Sequence, residues 1–396
     1  MITNLFFMLT GLAIVFILAY SVSYDRKHIR YKNICILFAL QIVISFLCLN
    51  TTGGVYILSQ ISGFFSWLLN QSFGGTEFVF GSLVPREGTG FVFFFGVLMP
   101  IVFISALVGI LNFLRILPFI IKWTGWLLNK IAHMGNLESY FAISTAILGQ
   151  PEVFLTIRDQ IPKLSERQLY TICTSAMSAV SAAMLASYMN MLEGRFVVVA
   201  VFLNILSALI IACIVNPYNP VNDEGLIKVK KVEEPFFQVL STYIIDGFKL
   251  AITVGAVLIG FVALITFLNN GFDALFGVTF IHLIGYIFSP IALFMGVPFN
   301  EIVNVGGIMA TKLISNEFVA MGLLHDISNT LSPKSQAILS VYLVSFANFG
   351  TLGIVSGSIK SISEKSGYCV AKFSLRLLLG ATLASVISGT IVGVYY

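Results

Sequence analysis

The sequence predicts an all-α polytopic membrane protein with about eight transmembrane helices, two oppositely oriented re-entrant hairpins forming an inverted repeat, and interfacial amphipathic helices. Three observations carry this. The 396 residues are 58% hydrophobic and only 10% charged, against roughly 25% charged residues in a soluble globular domain. Apolar runs of about 20 residues, the length that crosses a bilayer as a helix, recur from end to end. Two further apolar stretches are interrupted by amides and carboxylates, which suits segments that enter the membrane and leave on the same side.

The expected spans are Leu5 to Val22, Asn33 to Leu49, Phe91 to Leu114, Leu169 to Leu192, Phe196 to Val215, Leu250 to Leu268, Ser335 to Val355 and Phe373 to Val394. Between them, "VYILSQISGFFSWLLN" and "FFQVLSTYIIDGFKLA" alternate apolar and polar faces, as helices lying in the interface do. The first run lacks the basic start and small-residue cleavage site of a signal peptide, so it is expected to be a retained span. Basic residues order the topology. "DRKHIRYK" after the first span, Arg115, Lys122 and Lys130 after the third, "KVKK" after the fifth, and Lys360, Lys365, Lys372 and Arg376 before the last all fall on the cytoplasmic side if eight spans are counted. The N-terminus is then outside.

That count requires Met134 to Asp159, containing "ILGQPEVF", and Glu301 to Leu324, containing "MATKLISNEFVA", not to cross. The first hairpin enters from the cytoplasm and the second from outside, and each precedes a helix rich in small and hydroxyl residues. Secondary transporters use such inverted repeats to place a site near the midplane. The chain divides accordingly into residues 1–130, mainly scaffold; 131–215, the first hairpin and its helices; 216–300, a cytoplasmic loop and scaffold helices; and 301–396, the second hairpin, its helix and the last span.

The hairpin tips carry the chemistry. An ionised carboxylate in hydrocarbon costs roughly 2.5 to 3.5 kcal/mol on insertion scales, so Glu152 and Glu317 are expected to face a polar cavity. Gln150 and Asn316 beside them each supply a donor and an acceptor, and a carboxylate can accept two hydroxyl hydrogen bonds. The set matches a neutral, polyhydroxylated heterocycle better than a bare ion. The plainer alternative is that these groups only satisfy hairpin backbone. In "VSFANFGTLGIVSG", Asn348 and Thr351 are three apart and share a helix face. Lys312 lies five residues before Glu317, where it either neutralises that carboxylate or snorkels. His325 and Asp326 are expected at the outer interface, His133 and His282 have no clustered ligands, and the five scattered cysteines give neither a metal motif nor a disulfide framework. The net charge of +4, spread over short loops, does not make a nucleic-acid surface.

In order along the chain, "GTEFVFGSL", "PIVFISALVGIL", "LESYFAISTAILGQPEVF", "GVPFNE", "ATKLISNEFVA" and "SFANFGTLGI" resemble the concentrative nucleoside transporter family, bacterial type. The resemblance implies a homotrimer in the cytoplasmic membrane, each subunit with a scaffold and an inner transport domain. It implies that Gln150 and Glu152 contact the nucleobase, that Glu317, Asn348 and Thr351 hold the ribose hydroxyls with Asn316 beside them, and that Phe346 packs near the base or sugar. Two departures stand out. Pro151 replaces the hydroxyl residue usual between the Gln and Glu, and Thr145 stands where sodium-coupled relatives commonly carry Asn. With Ser178 or Ser181 and backbone carbonyls, Thr145 would still serve Na+. A titrating Glu317 or Glu152 would instead couple H+, toward which these residues tip the balance, and no other cofactor is implied. The expected function is cation-coupled nucleoside symport. Alternatives are an intramembrane enzyme using the two carboxylates, and a passive channel.

Overall fold

The computed structural model describes residues 2–84, 92–218 and 234–396. Among them are eighteen α-helices and no strand. The chain opens with α1 (Ile2–Ser21), α2 (Tyr31–Asn50), α3 (Thr52–Phe80) and α4 (Pro100–Phe113), the last entered through a π-helical turn over Phe94–Leu98. One series of pieces follows: α5 (Ile116–Ala132), the pair α6 (Asn136–Thr145) and α7 (Gln150–Thr156), the pair α8 (Glu166–Ser178) and α9 (Ala182–Met189), and α10 (Gly194–Val215). After α11 (Phe236–Phe276) the same order returns: α12 (Phe280–Phe294), the pair α13 (Ile302–Ile314) and α14 (Glu317–Ile327), the pair α15 (Pro333–Leu343) and α16 (Phe349–Ile362), then α17 (Glu364–Lys372) and α18 (Ser374–Val392).

Both stretches expected to be hairpins are pairs of short helices joined by tight turns. In the first, Phe141 lies four residues before the end of α6 and Phe154 four after the start of α7; their ring centroids are 5.3 Å apart, so the arms fold back on each other. In the second the turn is only Ser315 and Asn316, and Asn316 Oδ1 caps α14 by accepting from Val319 N at 3.0 Å.

The structure corrects several sequence expectations. Seven helices among the described residues are long and apolar enough to cross a membrane. The seventh expected span, Ser335 to Val355, is broken into α15 and α16 across Val344–Asn348, where Ser345 N donates to Leu343 O and Asn348 N to Phe346 O, two successive three-residue turns. Leu169 to Leu192 is likewise interrupted at Ala179 and Ser181, both in extended backbone. "VYILSQISGFFSWLLN" is the middle of the 29-residue α3 rather than a separate piece. "FFQVLSTYIIDGFKLA" and the span at Leu250 to Leu268 are one 41-residue helix, α11, because no proline or capping signal divides them. At 1.5 Å per residue that helix is about 62 Å long, twice a hydrocarbon core of about 30 Å. The expected start at Phe91 and most of the polar loop after Asn216 lie outside the described residues.

The core is built around α10 and α18, both buried along nearly their whole length. Polar groups tie them to their neighbours: Gln41 of α2 donates Nε2 to Leu203 O at 2.9 Å and to Ser207 Oγ at 2.5 Å, and Ser207 Oγ lies 2.9 Å from Ser388 Oγ of α18. At the crossing of α12 and α13, Gly285 and Gly306 let the backbones touch; a Cβ on Gly306 would lie 2.5 Å from Gly285 O.

Candidate functional site

The site is assembled by breaks in helices. Pro100 has no N–H and so frees the carbonyl four residues earlier, which is Gly96 O. Asn190 Nδ2 takes that carbonyl at 2.7 Å, and Ser187 Oγ donates to the adjacent Val97 O at 2.6 Å. These bonds fasten the end of α9 to the turn before α4 and fix Tyr188 between them. The Tyr188 ring packs edge-on against Phe318 of α14, with centroids 5.1 Å apart, and its hydroxyl donates to Glu317 Oε1 at 2.7 Å.

Glu317 is 4% exposed and sits in the first turn of α14, where the helix dipole favours an anion. Its second oxygen, Oε2, accepts from Asn348 Nδ2 at 3.0 Å. Asn348 is held in that orientation from its other side: it is the N-cap of α16, and its Oδ1 accepts both Thr351 N at 2.8 Å and Thr351 Oγ1 at 3.0 Å. With Oδ1 so occupied, only the amide nitrogen can face the carboxylate. Each Glu317 oxygen thus has one protein donor and at least one lone pair left for a ligand, the arrangement that receives two neighbouring hydroxyls.

The first hairpin docks in the break between α8 and α9. Ile147 O accepts from Ala182 N at 3.3 Å, and Gln150 Nε2 donates to Ala176 O at 2.8 Å. Ser175 and Ser178, buried in the last turn of α8, have hydroxyls with no hydrogen-bond partner among the described residues. Thr145 Oγ1 donates to Ala142 O at 2.8 Å, and Ser181 is buried at the start of α9. The Glu152 side chain is half-buried and lies against Gly149 at the start of α7. Phe346 is half-buried within the second break.

The structure therefore brings together four of the residues singled out from sequence: Asn316 and Glu317 in the second hairpin, Asn348 and Thr351 at the second break. Gln150, Thr145, Ser178 and Ser181 gather around the first break, and among the described residues no hydrogen bond joins Gln150 or Glu152 to the Glu317 group. Tyr188, which sequence reasoning missed, ties the first half directly to Glu317 in the second. Lys312 neither pairs with Glu317 nor snorkels; it is fully buried and donates to Tyr342 O and Ser345 Oγ, each at 2.6 Å.

Comparison with known proteins covers nearly the whole chain. A family model described as "Na+ dependent nucleoside transporter C-terminus" matches residues 196–393, one described as "Na+ dependent nucleoside transporter N-terminus" matches 10–83, and one described as "Nucleoside recognition" matches 94–195. The purine nucleoside transport protein NupG of Bacillus subtilis is 35% identical over 98% of both chains. Among solved structures, CNTnw in an inward-facing substrate-bound state superposes with a TM-score of 0.92 at 28% identity, over 99% of each chain. A variant of CNTnw in an outward-facing state gives 0.93 at 27%, over 100% of this chain and 98% of that one. These relatives are transporters, which removes the intramembrane-enzyme alternative. The chain, a multi-pass membrane protein, belongs to the concentrative nucleoside transporter family and is of its bacterial type.

Proposed function

We propose that this protein imports nucleosides by cation-coupled alternating access, and that the Glu317 cluster is where the sugar is held. The observation that carries this is the Glu317 carboxylate, oriented by Tyr188 and Asn348 yet with a free lone pair on each oxygen. A vicinal diol fills that pair of acceptors, and the Thr351 hydroxyl oxygen adds one more. Gln150 and Glu152 receive the base and Phe346 packs beside it. The name of the Bacillus subtilis relative favours purines.

A coupling Na+ acts at the first break, whereas a coupling H+ is carried by Glu317 or Glu152. The unpartnered hydroxyls of Ser175 and Ser178, buried at the C-terminal end of α8, support the Na+ site, with Thr145 and Ser181 nearby. One inward charge supplies about 2.3 kcal/mol per 100 mV, equivalent to roughly 50-fold accumulation. The two hairpins insert from opposite faces and move with α8–α10 and α15–α18 against a scaffold formed by α1–α4 and α11. The largely exposed apolar sides of α3 and α11 support a homotrimer.

The test is uptake into proteoliposomes of labelled adenosine, guanosine, inosine, uridine and cytidine at two pH values, with and without Na+. Accumulation of purines above the bath concentration, dependent on one of the two cation gradients, is the expected result. Equilibration without accumulation would indicate a channel, and no nucleoside uptake would overturn the reading.

A further inference from the structure

The two breaks are filled differently. At each, a helix stops and leaves last-turn carbonyls without their usual partners, and these carry the partial negative charge of a helix C-terminus. At the first break, Ala176 O accepts from the neutral amide of Gln150, and the hydroxyls of Ser175 and Ser178 are left without partners. At the second, Tyr342 O accepts at 2.6 Å from the ammonium of Lys312, which reaches in from the last turn of α13. The same ammonium donates to Ser345 Oγ at 2.6 Å and to Ser385 Oγ of α18 at 3.4 Å, so all three of its protons are taken. It also lies 4.3 Å from the centroid of the Tyr342 ring. Ser345 Oγ and Ser385 Oγ are themselves 2.7 Å apart, closing a triangle of two hydroxyls and one cation in a fully buried place.

Among the described residues no acid neutralises this charge directly, since Glu317 is engaged by Tyr188 and Asn348. Its surroundings, a carbonyl, two hydroxyls and an aromatic face, are those a small monovalent cation would choose. We propose that Lys312 is a tethered counterpart of the coupling cation: its ammonium fills in the second break the place that a free cation takes in the first, and so holds Asn348 in register with Glu317. Lys312 and Glu317 belong to the same hairpin, and Ser345 and Asn348 to the same break. The hairpin is therefore clamped to the break twice, by Lys312 to Ser345 and by Glu317 to Asn348. Only the second clamp faces the sugar, which makes Lys312 a positioning residue. It also explains how two similar breaks can yield one exchangeable cation site. The proposal rests on the functional reading above, in its Na+ form.

The test is equilibrium binding of labelled purine nucleoside to purified full-length protein in detergent, where no ion gradient intervenes. In Lys312→Met, which keeps the bulk without the charge, the nucleoside Kd rises about tenfold or more, as expected when buried acceptors lose a charged donor. In Lys312→Ala the rise is similar, but millimolar ammonium or methylammonium restores affinity in a saturable manner, which a purely structural defect would not show. Wild type and Lys312→Met do not respond to the amines. Wild-type affinity in Lys312→Met, or a weakened Lys312→Ala that neither ammonium, methylammonium nor Na+ improves, would overturn the proposal. Should Lys312→Ala fail to reach the membrane, the Kd of Lys312→Met decides alone. Failure of wild type to bind any nucleoside would instead refute the functional reading.

Discussion

Replacing Glu317 by glutamine separates the role of its charge from the role of its shape. The amide has nearly the same outline, and both protein contacts survive it: its oxygen still accepts from Asn348 Nδ2, now 3.0 Å away, and its NH2 meets Tyr188, whose hydroxyl, now 2.7 Å away, can accept as well as donate. The fold around the site is therefore kept. The ligand loses more. One of the two acceptors offered to the diol becomes an NH2, so that sugar hydroxyl must turn to accept, and neither remaining bond is charge-assisted. A hydrogen bond to a charged group contributes about 1.5–3 kcal/mol, so a loss of about 2–3 kcal/mol is expected, or a rise in nucleoside KM of roughly 30- to 150-fold. The assay is initial-rate uptake in proteoliposomes, with protein insertion and thermal stability measured alongside. Wild-type KM in Glu317→Gln would refute the assignment of the carboxylate to the sugar.

Three other outcomes follow from the same geometry. Tyr188→Phe keeps the ring against Phe318 but removes one of two donors that orient Glu317; nucleoside affinity should fall about tenfold, and unchanged binding would mean that α9 does not shape the site. Ser178→Ala removes a buried hydroxyl that has no protein partner, so folding should be unaffected while the concentration of coupling cation needed for half-maximal uptake rises; an unaltered cation dependence would exclude that hydroxyl as a ligand. Gly306→Ala forces a Cβ to within 2.5 Å of Gly285 O and 2.9 Å of Ser289 N, both backbone atoms, and should cost about 1–3 kcal/mol by overpacking, seen as a lower thermal midpoint; an unchanged midpoint would show that α12 and α13 part without penalty.

Much of this was legible because polar residues in an apolar chain are costly and therefore conspicuous. Gln150, Glu152, Asn316 and Glu317 stood out against their runs, and the hairpins followed from their positions. The three-residue spacing of Asn348 and Thr351 pointed to a shared face, and in the structure it is also a helix cap. Tyr188 was invisible for the opposite reason. An aromatic residue in "AAMLASYMNM" looks like packing, and its hydroxyl gains meaning only through Glu317, 129 residues away. The breaks at Ala179–Ser181 and Val344–Asn348 were hidden because hydroxyl and apolar residues are compatible with a continuous span; the partners that make the breaks affordable, Ile147 O and the Lys312 ammonium, come from distant hairpins. The length of α11 was missed because a change from amphipathic to apolar character marks a change of surroundings, not a helix end.

The central claim is that two half-crossing hairpins approach from opposite faces of the membrane. Single cysteines at His133 and Arg158, which flank the first hairpin, and at Phe299 and Asn329, which flank the second, all occupy exposed positions. In a background freed of the five native cysteines, labelling by a membrane-impermeant thiol reagent should reach His133 and Arg158 from one side only and Phe299 and Asn329 from the other side only. Labelling of the two flanks of either hairpin from opposite sides would mean that it crosses the bilayer, and would contradict the account.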